Sequence, residues 1–332
     1  MRIEPWLLVA IVVTCTAGAA TRLDGQPVQP SWFKGNTHTH TSDSDGDSSP
    51  EEVTRWYSER GYNFLVLSDH NVQTEIATLS AKFAVPGRFM LMRGEEVTSS
   101  FEGKSIHVNG LDTRTAIGRQ TGTSVLDILQ KSIDAIRKQS GVPHINHPNF
   151  TWALTTEQLQ QVKNNKLFEI HNGHPMVNNI GGGGVPGVEA TWDAILSNGM
   201  VLYGIAVDDA HHFKQPWNRE LALPGRAWIM VRAMRLEPRD ILDAMERGDF
   251  YATTGVILTN VEATRKSMTV TVSKTTFAKY RIQFIGRNGV LLQESFESPA
   301  TYTFQGTEGY VRAKVLESNG QIAWVQPVVV GN

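Results

Sequence analysis

The sequence predicts an α/β barrel followed by a small antiparallel β module. Between residues 32 and 251, short apolar runs typical of strands alternate with segments of helical periodicity, which indicates a mainly parallel sheet. About seven such repeats favour a barrel over an open sheet. After residue 251 the helical periodicity stops, and alternating β-branched runs follow.

The elements of the first segment, residues 32–255, can be placed in order. Ser49-Pro50-Glu51-Glu52 is typical of a helix start, with Ser as the cap and Glu three residues later, and Gly61 ends that helix. Further helices are indicated by apolar spacing at 125–136, 192–196 and 241–245. Buried strands are predicted at 64–67, 88–92, 106–111, 142–145, 167–170, 201–207 and 228–231.

The second segment, residues 256–332, is predicted to form a β-sandwich-like module that packs on the barrel as a structural cap. Alternating runs at 268–272, 280–284, 310–315 and 322–330 are separated by turn signals at 287–289 and 318–320. Its aromatic residues alternate as core residues do. They are Tyr280, Phe284, Tyr302 and Phe304.

The composition is that of a globular protein with a large core. Of 332 residues, 40% are hydrophobic and 19% are charged, which excludes a largely disordered chain. The 31 basic and 33 acidic residues nearly balance, so no overall basic field indicates nucleic acid as a partner. The single cysteine, Cys15, excludes an internal disulfide and a cysteine-based zinc site.

Residues 1–20 are predicted to be a secretory signal peptide. Arg2 precedes an apolar run at 6–13 that gives way to small residues at 17–20, in the order typical of such signals. The run is too short to span a bilayer of about 30 Å as a permanent anchor; a short anchor is the alternative. We expect an exported protein, periplasmic or extracellular, whose mature chain begins near Thr21 without Cys15, so that thiol catalysis is excluded.

Histidines and carboxylates lie at or just past predicted strand ends in six separate segments. In a βα barrel, residues at these strand ends meet on the face that carries the chemistry. Nitrogen and oxygen donors that converge there indicate a site for several metal ions. The segments contain His38-Thr39-His40 followed by Asp45, Ser68-Asp69-His70, Gly94-Glu95-Glu96, His107, Asn146-His147-Pro148 and Asp208-Asp209-Ala210-His211.

Over about residues 32 to 255, these motifs and their order resemble the PHP (polymerase and histidinol phosphatase) family. The resemblance implies a distorted (β/α)7 barrel that holds two or three divalent ions, commonly manganese, iron or zinc. It implies that the first ion takes His38, His40, Glu96 and Asp209, the second Glu96, His107 and His147, and the third Asp45, His70 and His211. The residues expected to act in catalysis are Glu96, Asp209 and His211.

Glu96 rather than Glu95 is expected to bridge two ions, because the family pattern is Gly-x-Glu; Glu95 then lies behind it or in a salt bridge. Two positions depart from the family pattern. Asn36-Thr37 stands where Asp-Leu is usual, so an orienting carboxylate becomes an amide. Asp45 stands where several members use histidine, and its hard oxygen favours manganese or iron over zinc, or partial filling of the third position.

The other histidines are His144, His171, His174 and His212. We expect His144 to be packed or to support a ligand, and His212 to be exposed. His171 and His174 are either substrate contacts or ordinary loop residues. The cations nearest the motifs are best interpreted as surface charge; they are Arg88, Arg93, Lys104 and Arg219.

The expected activity is hydrolysis of a small-molecule phosphate monoester or diester by a metal-bridging hydroxide, since a bridged metal pair suits displacement at phosphorus. The lead-in at 32–35 and the ending at 322–327 also resemble exported family members that look like carbamate and ester hydrolases, and this alternative stays open. So does a catalytically dead metal- or carbohydrate-binding protein, although all nine ligands are present. No polymerase segment follows, so no polymerase partner is expected, and neither a Gly-x-Ser-x-Gly elbow nor a P-loop occurs.

Overall fold

The computed structural model describes residues 29–331, which form 17 β-strands and six α-helices. The helices are α1 (Pro50–Ser58), α2 (Ala77–Phe83), α3 (Val125–Lys138), α4 (Thr156–Leu159), α5 (Val188–Ser197) and α6 (Pro238–Arg247). The strands up to residue 253 are β1 (Ser31–Asn36), β2 (Phe64–Val66), β3 (Met90–Met92), β4 (Gly94–Phe101), β5 (Lys104–Leu111), β6 (Val142–Ile145), β7 (Leu167–Asn172), β8 (Tyr203–Val207), β9 (Trp228–Ala233) and β10 (Phe250–Thr253). The later strands are β11 (Leu258–Ala263), β12 (Ser267–Val272), β13 (Tyr280–Gly286), β14 (Val290–Ser295), β15 (Ala300–Thr303), β16 (Gly309–Glu317) and β17 (Ile322–Val330).

The strands form three sheets. A five-stranded sheet has the order β4-β5-β6-β7-β8, and a nine-stranded sheet has the order β14-β13-β16-β17-β10-β9-β1-β2-β3. Parallel pairing is confined to β1-β2-β3 and β6-β7-β8, whereas β4-β5-β6 and the rest of the large sheet are antiparallel. The third sheet contains β11, β12 and β15.

The predicted α/β class is confirmed, but the sheets within residues 29–331 do not close into a (β/α)7 barrel. In a closed barrel, the edge of β1 that faces away from β2 would pair with β8. Here that edge pairs with β9 over residues 31–35. The two larger sheets are joined by single bridges, Thr39–Ala210 beyond the strand ends and His70–Glu96, in which Glu96 belongs to β4. The sequence favoured a barrel because repeated strand and helix patterns do not reveal which strand takes an edge.

Helices α1, α3, α5 and α6 lie where the sequence predicts helices, whereas α2 and α4 were not predicted. Ser49 accepts the N–H of Glu52, and the Glu52 carboxylate accepts the N–H of Ser49, which completes the predicted capping box of α1. Such a cap contributes about 1 kcal/mol to helix stability. Helix α3 buries Ile128, Leu129 and Ile133 in the main core.

The C-terminal strands continue the large sheet, because β17 pairs with β10. The sheet of β11, β12 and β15 shares a second apolar core with β13, β16 and β17. Of the aromatic residues expected in a core, Tyr280, Phe284 and Tyr302 are buried and Phe304 is partly buried. The division of the chain into segments 32–255 and 256–332 stays a prediction.

The predicted signal peptide at 1–20 lies outside the described residues, and export stays a prediction. Across residues 29–331, the helices are too short or too polar for any of them to cross a membrane.

Candidate metal centre

The structure brings all nine predicted ligands together at one end of the two sheets. They fall into overlapping groups whose nitrogen and oxygen atoms lie within 4.8 Å of one another. We refer to these residues as the nine-residue cluster: His38, His40, Asp45, His70, Glu96, His107, His147, Asp209 and His211.

The first group has the spacing expected around one ion. Two ligand atoms about 2.1 Å from a metal, at angles of about 90 to 110°, lie about 3.0 to 3.4 Å apart. His38 Nε2 and His40 Nε2 each lie 3.2 Å from Asp209 Oδ1. Each of these nitrogens also lies 3.5 Å from an oxygen of Glu96. The 3.2 Å distances fall in this range and the 3.5 Å distances lie just above it. His38, His40 and Glu96 form one group able to hold an ion, and Asp209 falls in a second group with His38 and His147.

Glu96 occupies the middle of the cluster. Its Oε1 lies 2.8 Å from His107 Nδ1 and 3.2 Å from His147 Nε2. Glu96 and His107 lie inside β4 and β5 rather than past strand ends, contrary to the expectation for these two residues. Since Thr98 pairs with His107 and Glu96 with Asn109 across this hairpin, their side chains share one face.

A third group surrounds Asp45, whose side chain is 53% exposed. Its carboxylate oxygens lie 3.5 Å from His40 Nδ1, 3.5 Å from His70 Nε2 and 3.4 Å from His211 Nε2. Gly46 allows this approach, because a Cβ there would lie 2.7 Å from the backbone oxygen of His40. The open carboxylate makes this the most solvent-accessible part of the cluster.

Orphaned buried atoms indicate that the cluster fits a metal. His38 Nε2 and Glu96 Oε2 are buried and make no hydrogen bond, although His70 Nδ1 lies 2.8 Å from that oxygen. A buried polar atom without a partner costs about 1 to 3 kcal/mol. Both atoms belong to the predicted ligand set and point at their neighbours in it. A divalent cation would satisfy both.

The backbone holds two ligand segments against each other. Asp209 N–H donates to His38 O at 3.0 Å, and His40 N–H donates to Ala210 O at 2.9 Å. Asp209 has a φ of 50°, a left-handed conformation that few residues other than glycine, asparagine and aspartate adopt. This local strain accompanies the placement of its carboxylate between His38 and His40.

The charges of the cluster shift the pKa values of its members strongly. Burial alone would lower the pKa of His38, but Asp209, Glu169 and Glu96 raise it well above its usual range. Against the same effect of burial, Glu96 and Asp45 raise the pKa of His70 to about 10. Burial opposes ionisation of Glu96, yet the surrounding histidines hold its pKa well below the usual range. Without metal, His38 and His70 therefore favour the protonated form, whereas burial and the nearby His211 lower the pKa of His40 to about 4.

Glu169 is a supporting residue that sequence reasoning missed. It is buried in β7, and its Oε1 accepts a hydrogen bond from His38 Nδ1 at 2.7 Å. This contact places the proton on Nδ1 and leaves Nε2 as the ligand nitrogen. Its Oε2 accepts the N–H of His147 at 2.7 Å and Asn172 Nδ2 at 2.9 Å. The sequence does contain a signal for this residue, because Glu169 is a carboxylate within the otherwise apolar run 167–170.

The side-chain amides of Asn172 and Asn146 each donate a hydrogen bond to a carboxylate of the nine-residue cluster. Asn172 Nδ2 donates to Asp209 Oδ2 at 3.0 Å, and Asn146 Nδ2 donates to Glu96 Oε1 at 2.7 Å. Asn172 ends β7, which carries Glu169, and Asn146 follows β6 directly before His147. They fix the orientation of groups that would otherwise rotate.

Three neighbouring residues have roles other than metal binding. Asn36 donates to His38 O at 2.9 Å, so it fastens the backbone, and the carboxylate that orients the His38 ring comes from Glu169. Glu95 points away from the cluster and accepts the N–H groups of Ile117 and Gly118. The structure thus places Glu96, not Glu95, in the cluster.

The cluster opens into a cavity of about 200 Å³. Among the described residues its walls contain no lysine or arginine; Arg93 instead binds Asp112 at 2.7 Å, and Lys104 donates to Trp152 O at 2.9 Å. His212, expected to be exposed, is half-buried and lines the cavity, because the chain stays against the cluster one residue beyond His211. The residues of the wall outside the nine-residue cluster are Phe150, His174, Met176, Val177 and His212.

The remaining histidines are not part of the cluster. His144 is buried beside it, with its Nε2 3.4 Å from Thr37 O, as expected of a packed residue. His171 stacks on Trp324 of β17 with the ring centroids 5.5 Å apart. His174 lines the cavity, and burial lowers its pKa to about 4.

This chain is similar in fold to several proteins of known structure. No family model and no curated protein matches this sequence. A two-domain protein from Bacteroides vulgatus that contains a predicted PHP-like metal-dependent phosphoesterase aligns with 96% of this chain and 100% of its own, at 14% identity and a TM-score of 0.51. An amidohydrolase from Chromobacterium violaceum aligns with 55% of this chain and 88% of its own, at 15% identity and a TM-score of 0.40.

A lesion-specific endonuclease from Pyrococcus furiosus aligns with 65% of this chain and 56% of its own, at 9% identity and a TM-score of 0.40. The full-length likeness to the Bacteroides protein confirms the expected resemblance at the level of the fold. The chain therefore shares its fold with that protein, and it carries a cluster of histidines and carboxylates able to bind metal.

Proposed function

We propose that this protein is a metal-dependent hydrolase of phosphate esters, with two or three divalent ions held by the nine-residue cluster. The observation that carries the proposal is the position of Glu96. Histidines surround both of its oxygens: His107, His147 and His38 lie within 3.5 Å of Oε1, and His70 and His40 lie 2.8 and 3.5 Å from Oε2. A buried carboxylate shared in this way suits two adjacent ions. Divalent ions in such a pair supply a nucleophile at neutral pH and stabilise the charge that develops during displacement at phosphorus.

The residues of the chain provide orientation and exclusion of water. Glu169 keeps the His38 ring in the tautomer that offers Nε2, and Asn172 keeps Asp209 from rotating. Phe150 packs edge-to-face on His147, with ring centroids 5.2 Å apart, and screens that ring from solvent. A phosphoester would enter from the side of Asp45, where the cluster is most exposed.

One observation favours a second candidate, a carbamate or carboxylic ester hydrolase with the same site. A phosphate group is commonly held by Arg or Lys as well as by metal. The described cavity wall has neither. A carbonyl substrate carries less charge and needs no such clamp. The carboxylate that Asp45 adds to the histidines of the third group suits manganese or iron in either case.

The test is hydrolysis by the protein from Thr21 onward, reconstituted with manganese. Matched nitrophenyl esters of phosphate, phosphodiester and carboxylate are offered, with His147→Ala as the blank. Phosphoester turnover that His147→Ala abolishes supports the proposal and separates monoester from diester. Turnover of the carboxylate alone supports the second candidate. No turnover of any ester by the metal-loaded protein refutes hydrolysis and leaves a metal- or carbohydrate-binding role.

A further inference from the structure

One side of the cavity is built by residues that hold no metal. We call it the side wall and define it by Phe150, His174, Met176 and Val177. None of these belongs to the groups able to bind an ion. The Phe150 ring lies 6.5 Å from the His174 ring, and the His174 ring lies 5.4 Å from that of His211. The side wall therefore borders the metal-binding groups directly.

His174 is held in a defined tautomer. Its Nδ1 accepts the backbone N–H of Met176 at 3.2 Å, so Nδ1 carries no proton and the neutral ring carries one on Nε2. The backbone N–H of His174 donates to Asn172 Oδ1 at 2.8 Å. The same Asn172 amide binds Asp209, so His174 and the cluster share a support. In the described chain, Nε2 of His174 makes no hydrogen bond.

The rest of the side wall is apolar. Met176 lines the cavity, and its side chain is 62% exposed. Contact with water does not stabilise an apolar side chain of this kind. Phe150 also lines this cavity. Exposed apolar side chains that border a polar cavity are typical of a ligand-binding surface. Since the cavity wall has no lysine or arginine among the described residues, this surface suits an uncharged group.

We propose that the side wall is the substrate subsite of this centre. His174 Nε2–H donates a hydrogen bond to an oxygen of the ester, and Phe150 and Met176 contact an uncharged apolar group, aryl or alkyl, attached to that oxygen. This assignment rests on the proposed hydrolytic function. It names the substrate class as esters with an apolar alcohol portion.

The experiment compares the benzyl and methyl esters of the acid, phosphoric or carboxylic, that the wild-type protein hydrolyses. His174→Phe keeps a ring of similar size and removes the donor, whereas His174→Gln restores an N–H donor. Met176→Ser removes apolar surface from the side wall. Phe277→Ser is the matched control, because Phe277 is 95% exposed and lies outside the cavity wall. Bound metal is measured in every variant alongside kcat and KM.

We expect the wild type to have a lower KM for the benzyl ester than for the methyl ester. His174→Phe should lower kcat/KM at least about tenfold for both esters at unchanged metal content, with partial recovery in His174→Gln. Met176→Ser should raise the KM for the benzyl ester severalfold and leave the methyl ester unchanged, and Phe277→Ser should match wild type.

Equal KM values for the two esters, or a His174→Phe variant as active as wild type, would overturn the subsite while hydrolysis stands. A His174→Phe variant that loses metal would also overturn it, because His174 would then act on the metal groups. A wild-type protein inert on every ester overturns the proposed function, and the subsite falls with it.

Discussion

Substitution of Glu169 by glutamine tests whether metal affinity depends on a residue that touches no metal. The Glu169 carboxylate accepts three hydrogen bonds, from His38 Nδ1 at 2.7 Å, the N–H of His147 at 2.7 Å and Asn172 Nδ2 at 2.9 Å. Glutamine has the same size but offers one oxygen and one NH2 group. The NH2 group must face a donor, so at least one of these bonds is lost.

The magnitude follows from the charge and the number of the bonds. A hydrogen bond to a charged group contributes about 1.5 to 3 kcal/mol. Burial would raise the pKa of Glu169, but His38 and the other nearby imidazoles lower it, so the carboxylate is ionised at neutral pH. Loss of a residue that orients a metal-binding histidine weakens metal affinity by about 10- to 100-fold. We therefore expect the Kd for Mn²⁺ of Glu169→Gln to rise by that factor, as measured by calorimetry.

Glu95→Gln is the control, because Glu95 is as buried as Glu169 and also accepts backbone N–H groups, but faces away from the cluster. It should lower the midpoint of thermal unfolding and leave the Kd for Mn²⁺ within about twofold of wild type. A Glu169→Gln protein that binds Mn²⁺ as tightly as wild type would refute the reasoning. So would an equal loss of affinity in Glu95→Gln, since the effect would then reflect general destabilisation.

Three other outcomes are expected. Glu96→Gln should lose bound manganese as measured by elemental analysis, because it removes the shared charge; a fully metallated Glu96→Gln would contradict the bridging role. The pKa of His70 is raised to about 10 in the fold, from an ordinary value of 6.5. The protonated His70 ring therefore stabilises the metal-free fold fully at a pH below 6.5, and this stabilisation is lost as the pH rises through about 10. In chelator, the unfolding temperature should therefore fall from pH 7 to pH 10 more in wild type than in His70→Gln, and parallel curves would count against this. Asp193→Ala should cost about 3 to 5 kcal/mol in denaturant unfolding, because the buried Arg312 binds Asp193 through two contacts of 2.7 Å; a loss below about 1 kcal/mol would mean that the pair is dispensable.

The residues that form the cluster could be singled out because their signals are local. His38-Thr39-His40 and Asp209-Ala210-His211 each place two donors two residues apart, and such spacing is visible without knowledge of the fold. Closure of the barrel was not predictable in this way. It depends on whether β8 or β9 pairs with β1, and both strands are mainly apolar in sequence. The pairing is a long-range choice that single segments do not encode.

The supporting residues escaped prediction for a different reason, which lies in β7. In a regular strand, side chains alternate between faces, so Glu169 and Asn172 would point to opposite sides. The pairing of β7 with β8 shifts register between Glu169 and His171, and this irregularity changes the alternation. As a result Asn172 Nδ2 reaches Glu169 Oε2 at 2.9 Å, and one strand supplies the support of both His38 and Asp209. His174 follows Asn172 by two residues and donates its N–H to the Asn172 side chain at 2.8 Å, so the end of this strand holds both a support of the cluster and the proposed substrate contact.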